Sequence, residues 1–371
     1  MLGAFCKAPS TSENKQATTP LNEEQIITNI MEKRLMELSP KGMFSFLWIT
    51  LAYFFLPSLL FSQSSTRYEY TAPKMGTEFR LVLYAPTKEI ADKAAEAAFN
   101  RVDKLNAIFS DYDASSEVSR LSISAGTGQE VPVSKELWEV LLLAQEVAQK
   151  SKGAFDVTIG PVSKLWRRAI RQQAYPNLIQ LEEAKEKVCY KHLQLNAKSH
   201  SVRLKKKDMR LDLGGIAKGY TVDEICKILQ QYGIQTALID GGGDIFGHGS
   251  PPDAAGWKVQ MLSRQTRSLN LDYFDKETKN WSSQKEQEKV AYLTNQAIAS
   301  SGNTYKYLDW KGQRYSHIIN PKTGVGVMHN DIINIQASSC ALADAIASTL
   351  TVLSPKKGKK FLKKFKNVTL W

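Results

Sequence analysis

An apolar stretch near the amino terminus constrains this 371-residue chain more than any other feature. Residues Met43 to Phe61 run for nineteen positions without a charged side chain. Lys33, Arg34 and Lys41 precede the stretch, and Ser-Gln-Ser-Ser follows it. A basic region, an apolar core and an exit of small residues are typical of a secretory signal. About 20 apolar residues can also span a bilayer, so a membrane anchor is the alternative.

The stretch divides the chain into three parts. Residues 1–42 are a polar extension, residues 43–63 are the signal peptide or membrane anchor, and residues 64–371 are one folded domain. Pro57 and the polar exit favour cleavage at the end of the segment over a retained anchor. Both interpretations predict export, so we expect a periplasmic protein that a retained segment would attach to the inner membrane.

The net charge of +12 at pH 7 suggests an anionic partner, such as nucleic acid, an acidic lipid surface or a phosphate ligand. Seven lysines and no acid lie in the last eighteen residues, Ser354 to Trp371. An amphipathic helix with Phe361, Leu362 and Phe365 packed inward would explain them. Contact with an anionic membrane surface is the other interpretation. No nucleic-acid-binding motif accompanies the charge, so we expect no nucleic-acid partner.

The hydrophobic periodicity of the domain mixes short strand patterns with helix patterns. We expect strands at 78–84, at 235–239 and in two pieces within 201–213, and helices at 88–108, 135–151 and 220–232. The polar segment 262–290 has the composition of a long surface insertion.

The segment Leu211 to Asp223, LDLGGIAKGYTVD, combines a strand, two glycines and the start of a helix. Glycines let a backbone approach a ligand closely, and the first N–H groups of a helix bind phosphate. Lys218 adds a cation and Asp223 an acid. The segment matches neither a Walker loop nor a dinucleotide fingerprint, so a purely structural turn is an equal alternative.

A second glycine cluster, Asp240 to Asp244 with sequence DGGGD, follows another predicted strand. Close approach to a ligand and a buried crossing of two backbones would both require such glycines.

Asp344 and Ser348 stand four residues apart in ALADAIAST and therefore on one face of a predicted helix. A carboxylate and a hydroxyl so placed could share Mg²⁺, which prefers oxygen ligands. The structural alternative is a carboxylate near a helix N-terminus beside a face of small residues. His317 ends a predicted strand before an NPKTG turn, where a structural role is the alternative to a functional one.

The order of these segments resembles the ApbE family of FAD:protein FMN transferases over residues 68–366. The matching segments are KMGT, FSDYDASSEVSRLS, GAFDVTIGPVSKLW, LDLGGIAKGYTVD, DGGGDIFGHG, SSGN with YSHIINPKTG, and ADAIAST. The resemblance implies a single large mixed α+β domain and an exported, Mg²⁺-dependent enzyme. Such enzymes split the pyrophosphate of FAD, move FMN onto a threonine or serine hydroxyl of an acceptor protein and release AMP. Typical acceptors are flavin-carrying subunits of membrane redox complexes, such as sodium-pumping quinone reductase (NQR) or its Rnf relatives.

The resemblance also implies roles for individual residues. The FAD-binding residues would be Met75, Tyr112, Ala154, Phe155, Asp156, Lys218, Gly242, Gly243, His317 and Ile318. Mg²⁺ would be held by the Ala217 backbone carbonyl, the Asp344 carboxylate and the Ser348 hydroxyl. The catalytic residues would be His317, as a general base or a phosphate contact, and Asp223.

The chain departs from the usual family pattern at three positions. Ser348 stands where threonine is more usual, and Asp240 and Asn303 stand where many relatives have asparagine and aspartate. Two other functions are compatible with the same motifs. One is an FAD pyrophosphatase that releases FMN and AMP, and the other is a non-catalytic periplasmic flavin-binding protein.

Overall fold

A computed structural model describes residues 65–261, 290–302, 306–329 and 331–371, together with the backbone of 273–275 and 280–282. Ser64–Trp371 is one compact unit. The predicted signal or anchor lies outside the described residues, as does most of the predicted insertion at 262–290. In the described part of the chain, no helix is both long and apolar enough to cross a membrane.

The domain alternates helices with short strands, and the fold is α+β as predicted. The helices are α1 (Lys88–Phe109), α2 (Glu117–Ile123), α3 (Lys135–Ser151), α4 (Gly160–Gln172), α5 (Leu178–Lys185), α6 (Ala217–Gln231), α7 (Cys340–Val352) and α8 (Pro355–Leu362). The strands are β1 (Thr66–Lys74), β2 (Thr77–Ala85), β3 (Val131–Pro132), β4 (Leu193–Asn196), β5 (Ser201–Leu204), β6 (Ala237–Asp240), β7 (Asp244–His248), β8 (Trp257–Gln260), β9 (Tyr273–Asp275), β10 (Asn280–Ser282), β11 (Val290–Leu293), β12 (Gln296–Ser301), β13 (Tyr307–Trp310), β14 (Gln313–Ser316), β15 (Ile319–Asn320), β16 (Val325–Gly326), β17 (Ile333–Ala337) and β18 (Thr369–Leu370).

A seven-stranded antiparallel sheet with the order β1-β2-β6-β7-β12-β17-β18 organises the domain. One face of β2 buries Phe79, Leu81 and Leu83 against α1 and α6. Val82 points to the opposite face, where β8 and β11 cover it. Each fully buried leucine or phenylalanine contributes roughly 1.5–3 kcal/mol, so this two-sided burial is the main force that holds the sheet.

The predicted helices form where apolar spacing and caps coincide. In α1, the small residues Ala91, Ala94 and Ala98 line the buried face, and the side chain of Thr87 caps the first turn. Helix α6 begins at Ala217, three residues before the predicted start. Within 201–213 only β5 is a strand, because Arg210 makes no more than an isolated bridge.

The predicted carboxy-terminal helix is shorter than expected. Helix α8 ends at Leu362, and the chain then reverses through Asn367, whose φ is +55°. Thr369 pairs with Gln336, so the last residues extend the sheet as β18. Phe361 is buried and Phe365 packs beside it, as the sequence predicts. The edge of β17 offers backbone hydrogen bonds to the chain end, and the helical pattern by itself could not reveal this.

Candidate active site

The candidate site forms where the start of α6 crosses α7. A Cβ on Gly219 would lie 2.4 Å from the carbonyl oxygen of Cys340, so only glycine allows the two helices to approach this closely. The crossing brings Lys218 beside Asp344, with Nζ 4.0 Å from Oδ2. Lys218 also forms an ion pair with Asp244 at the start of β7. Three charged side chains from separate segments therefore meet in one place.

These charges change one another's protonation. Burial opposes the charged form of Lys218, but Asp244 and Asp344 outweigh it and raise the pKa of the ammonium. Burial, together with the charge of Asp244, raises the pKa of Asp344 to about 7. Burial also raises the pKa of Asp244. Two carboxylates face one ammonium, so the cluster favours an additional cation.

The residues predicted to hold Mg²⁺ suit such a cation. Oδ2 of Asp344 is buried and has no hydrogen-bond partner among the described residues. Ser348 lies one turn further along α7, with Oγ 3.0 Å from the position of a Cβ on Gly215. The carbonyl of Ala217 opens α6 and accepts a hydrogen bond of 2.8 Å from Thr221 Oγ1. A carboxylate, a hydroxyl and a carbonyl are hard oxygen donors, which fit Mg²⁺.

The described residues contain no cluster of three or more His, Cys, Asp or Glu side chains that could hold a metal ion. The proposed ligands agree with this, because only Asp344 among them belongs to those residue types.

The N-terminus of α6 adds a site for an anion. Its N-cap residue is Ile216, whose apolar side chain cannot cap the first N–H groups. Gly215 lies just before it, and a Cβ there would be 3.3 Å from the ring of Phe155. The positive end of the α6 dipole and the ammonium of Lys218 both favour a phosphate at this position.

His317 follows β14 and is exposed. Its Nδ1 lies 3.0 Å from the carbonyl oxygen of Lys306, so Nδ1 carries the hydrogen of the neutral ring and Nε2 keeps its lone pair. Surrounding protein atoms partly desolvate the ring and lower the pKa of His317, and the charges of Lys306 and Lys218 act in the same direction. The ring is therefore neutral at pH 7, and the charge of Lys218 helps to keep it so. The next residue, Ile318, is half-buried, and its N–H donates to Ser316 Oγ.

Sequence reasoning missed Arg167. Its guanidinium bridges Asp111 at 2.5 Å and Asp212 at 2.6 Å, and it lies 4.3 Å from the ring centre of Tyr112. Tyr112 is 75% exposed, so the opposite face of its ring is open to a planar ligand. Asp111 belongs to the segment FSDYDASSEVSRLS, which the sequence analysis singled out. No pattern of spacing linked this segment to an arginine on α4.

The structure places Asp223, which is predicted to be catalytic, against the first turn of α7. Its carboxylate accepts hydrogen bonds from the backbone N–H of Cys340 at 2.8 Å, from that of Ala341 at 2.9 Å and from Ser339 Oγ at 2.8 Å. Both carboxylate oxygens therefore serve the first turn of α7, so Asp223 positions the helix that carries Asp344.

Asp156, which is predicted to contact FAD, is also hydrogen-bonded within the protein. The buried carboxylate accepts hydrogen bonds from the N–H and hydroxyl of Thr158 and from the N–H of Tyr190. Ala154 and Phe155 are buried as well, and Phe155 borders the site through Gly215.

The second glycine cluster is a tight turn between β6 and β7. A Cβ on Gly242 would lie 2.2 Å from Thr77 Oγ1, and φ is +77° at Gly242 and +99° at Gly243. Oδ1 of Asp240 accepts the N–H groups of both glycines. The close approach at Gly242 is therefore to the side chain of Thr77 at the start of β2.

Met75 connects this region to α6. It has a φ of +49° in the β1–β2 turn, and its Sδ lies 3.5 Å from Thr221 Oγ1, the hydroxyl that also bonds to the Ala217 carbonyl. Asn303, one of the departures from the family pattern, lies outside the described residues.

Comparison with known proteins identifies the family of the chain. The ApbE family model matches residues 75–370. The FAD:protein FMN transferase of Treponema pallidum is 30% identical over 306 residues, which cover 79% of this chain and 81% of the relative. The Escherichia coli protein of the same name is 26% identical over 295 residues, which cover 78% and 79%.

Two solved structures are similar to this fold. The ApbE protein from Thermotoga maritima has a TM-score of 0.70 and 26% identity, covering 82% of this chain and 93% of that one. The flavinyl transferase ApbE of Pseudomonas stutzeri has a TM-score of 0.67 and 22% identity, covering 81% and 89%. The family model spans most of the chain and the site lies within that span, so this chain belongs to the ApbE family.

Proposed function

We propose that this chain is an Mg²⁺-dependent FAD:protein FMN transferase. The relatives carry that name, and one observation makes the site suitable for it: the unpaired, buried Oδ2 of Asp344 beside the ammonium of Lys218. A cation held there by Asp344, Ser348 and the Ala217 carbonyl would neutralise charge on the pyrophosphate of FAD.

The chain's own residues provide positioning and proton transfer. Lys218 and the positive end of the α6 dipole attract the pyrophosphate. The exposed ring of Tyr112, supported by Arg167, offers a surface on which the flavin stacks. Neutral Nε2 of His317 accepts the proton of the acceptor's threonine or serine hydroxyl. The hydroxyl oxygen bonds to the phosphorus of the FMN half, the pyrophosphate bond breaks, and AMP leaves.

The family resemblance suggests the acceptor. We propose flavin-carrying subunits of membrane redox complexes of the NQR or Rnf type as acceptors. We also propose that the domain acts in the periplasm, because the apolar segment Met43 to Phe61 has the pattern of an export signal or inner-membrane anchor.

One experiment separates transfer from hydrolysis and from simple binding. The full chain is incubated with FAD, Mg²⁺ and a threonine-bearing acceptor domain, and flavin fluorescence on a denaturing gel and AMP release are both measured. A fluorescent acceptor band with stoichiometric AMP supports transfer. AMP without the band would instead establish FAD pyrophosphatase activity, and the absence of both would establish flavin binding without catalysis. An acceptor with alanine in place of the threonine is the matched control.

A further inference from the structure

The seven lysines after Ser354 form one surface, here called the lysine patch: Lys356, Lys357, Lys359, Lys360, Lys363, Lys364 and Lys366. All seven are exposed. None of them forms an ion pair with the described residues, and Lys364 donates instead to the backbone carbonyl of Lys150. The patch therefore presents positive charge that the described part of the domain does not neutralise.

The fold holds the patch in place. Successive helix residues are rotated by about 100°, which directs Gly358 and Phe361 of α8 toward the protein and the lysines away from it. Phe361 is buried in the main core, and Phe365 packs on it at 5.1 Å between ring centres. Beyond the patch, Thr369 is paired to the sheet edge. The patch is thus anchored on both sides and is no loose tail.

The composition of the patch favours one kind of partner. Protein interfaces have centres that are depleted in lysine and enriched in aromatic residues. Between Lys356 and Lys366, Phe361 is buried, Phe365 is half-buried and only lysines are exposed, whereas the exposed Trp371 lies beyond the patch. Lysine is a mobile point charge that suits diffuse anionic charge, and an anionic bilayer offers such charge without requiring a matching shape.

We infer that the lysine patch is a docking surface for anionic phospholipid headgroups, which holds the domain against a membrane surface. A lysine that reaches such a surface strengthens binding about fivefold, so a few lysines acting together produce strong, salt-sensitive attachment. The predicted segment at 43–63 would act in addition to this attachment, and the inference does not depend on the transferase activity.

The test measures sedimentation of the full chain with vesicles of phosphatidylcholine, with or without phosphatidylglycerol. The N-terminal segment would contribute to binding of both vesicle types. The ratio of the two affinities therefore isolates the part of the binding that depends on lipid charge. We expect wild type to favour anionic vesicles by at least about tenfold at low salt, and this preference to disappear at high salt. The quadruple variant Lys356→Glu, Lys357→Glu, Lys359→Glu, Lys360→Glu should lose the preference for anionic vesicles. Its rate of FMN transfer from FAD to a soluble acceptor should stay unchanged.

A matched control changes four exposed lysines elsewhere, Lys191, Lys198, Lys205 and Lys207, to glutamate. Its net charge equals that of the patch variant, but we expect it to keep most of the lipid preference. Equal loss in both variants would overturn the inference, because net charge alone would then explain binding. An unchanged preference of the patch variant for anionic vesicles would also overturn the inference. So would a wild type without any such preference, which is the outcome expected if the lysines bind an acidic protein instead. A variant with glutamine in place of the same four patch lysines should also lose the preference for anionic vesicles, although its net charge changes less.

Discussion

Nζ of Lys218 lies 4.0 Å from Oδ2 of Asp344, and that oxygen has no hydrogen-bond partner in the described structure. Lys218 instead forms its close ion pair with Asp244. Asp344 is therefore left with unbalanced charge in a buried position, which is costly unless a cation or a proton compensates it. This relationship makes Asp344 a suitable ligand for a hard metal ion.

Replacing Asp344 with alanine should remove the anionic ligand of the proposed Mg²⁺ site. We expect FMN transfer to fall at least about a hundredfold, because a metal supplies several kcal/mol of charge stabilisation in phosphoryl transfer. AMP release across an Mg²⁺ titration and direct Mg²⁺ calorimetry measure the effect. Asp309→Ala is a suitable control, since Asp309 is an exposed carboxylate paired with Arg314. Near-normal activity of Asp344→Ala in excess Mg²⁺ would contradict the assignment.

His317 should act in its neutral form. Desolvation lowers the pKa of His317 below its usual 6.5, so the ring stays neutral at pH 7 and takes up a proton only under more acidic conditions. Transfer should therefore be steady from pH 8 to about 6.5 and decrease below that, as protonation removes the lone pair on Nε2. His317→Ala should lower the rate about a hundredfold or more and abolish this acidic decrease. Rates are compared per folded molecule, and a normal rate for the variant at neutral pH would exclude the role.

Asp223 should matter for stability more than for catalysis. Asp223→Ala removes the acceptor for two N–H groups of α7 and for Ser339 Oγ. The loss of such a cap costs about 1–2 kcal/mol, or roughly 2–4 °C in Tm for a domain of this size. We expect kcat at saturating Mg²⁺ to stay within a few-fold of wild type. A large loss of kcat at unchanged Tm would restore a catalytic role for Asp223.

Arg167 should contribute both to the stability of the fold and to the binding of FAD. Arg167→Met keeps much of the volume but leaves Asp111 and Asp212 as buried, unpaired carboxylates. Removing one partner from such a buried network costs about 3–5 kcal/mol, which urea denaturation measures directly. KM for FAD should rise, because Tyr112 loses the guanidinium packed against its ring. Adding Asp111→Asn should recover part of the stability but not the KM, and equal recovery of both would argue against the proposed support of Tyr112.

Local features of the site were readable from the sequence because they depend on neighbouring residues. The spacing of Asp344 and Ser348 on one helical face needs only the helical repeat, and both lie on α7 as predicted. The glycines before α6 predict a close approach, and Gly215 does approach Ser348. Asp223 and Asp156 show the limit of this reasoning, because the sequence does not distinguish an acid that faces a ligand from one that accepts hydrogen bonds from the protein backbone.

The sequence by itself determined the main helices, because periodicity and caps are properties of short segments. The order of its motifs determined the family and, with it, the α+β class. Only the tertiary structure decided which charges meet. Arg167 reaches Asp111 and Asp212 from different segments, Gly219 lets α6 and α7 cross beside Lys218, and the chain end leaves its helix to pair with β17. These contacts depend on how buried surfaces fit together across the whole domain, so no local pattern in the chain specifies them.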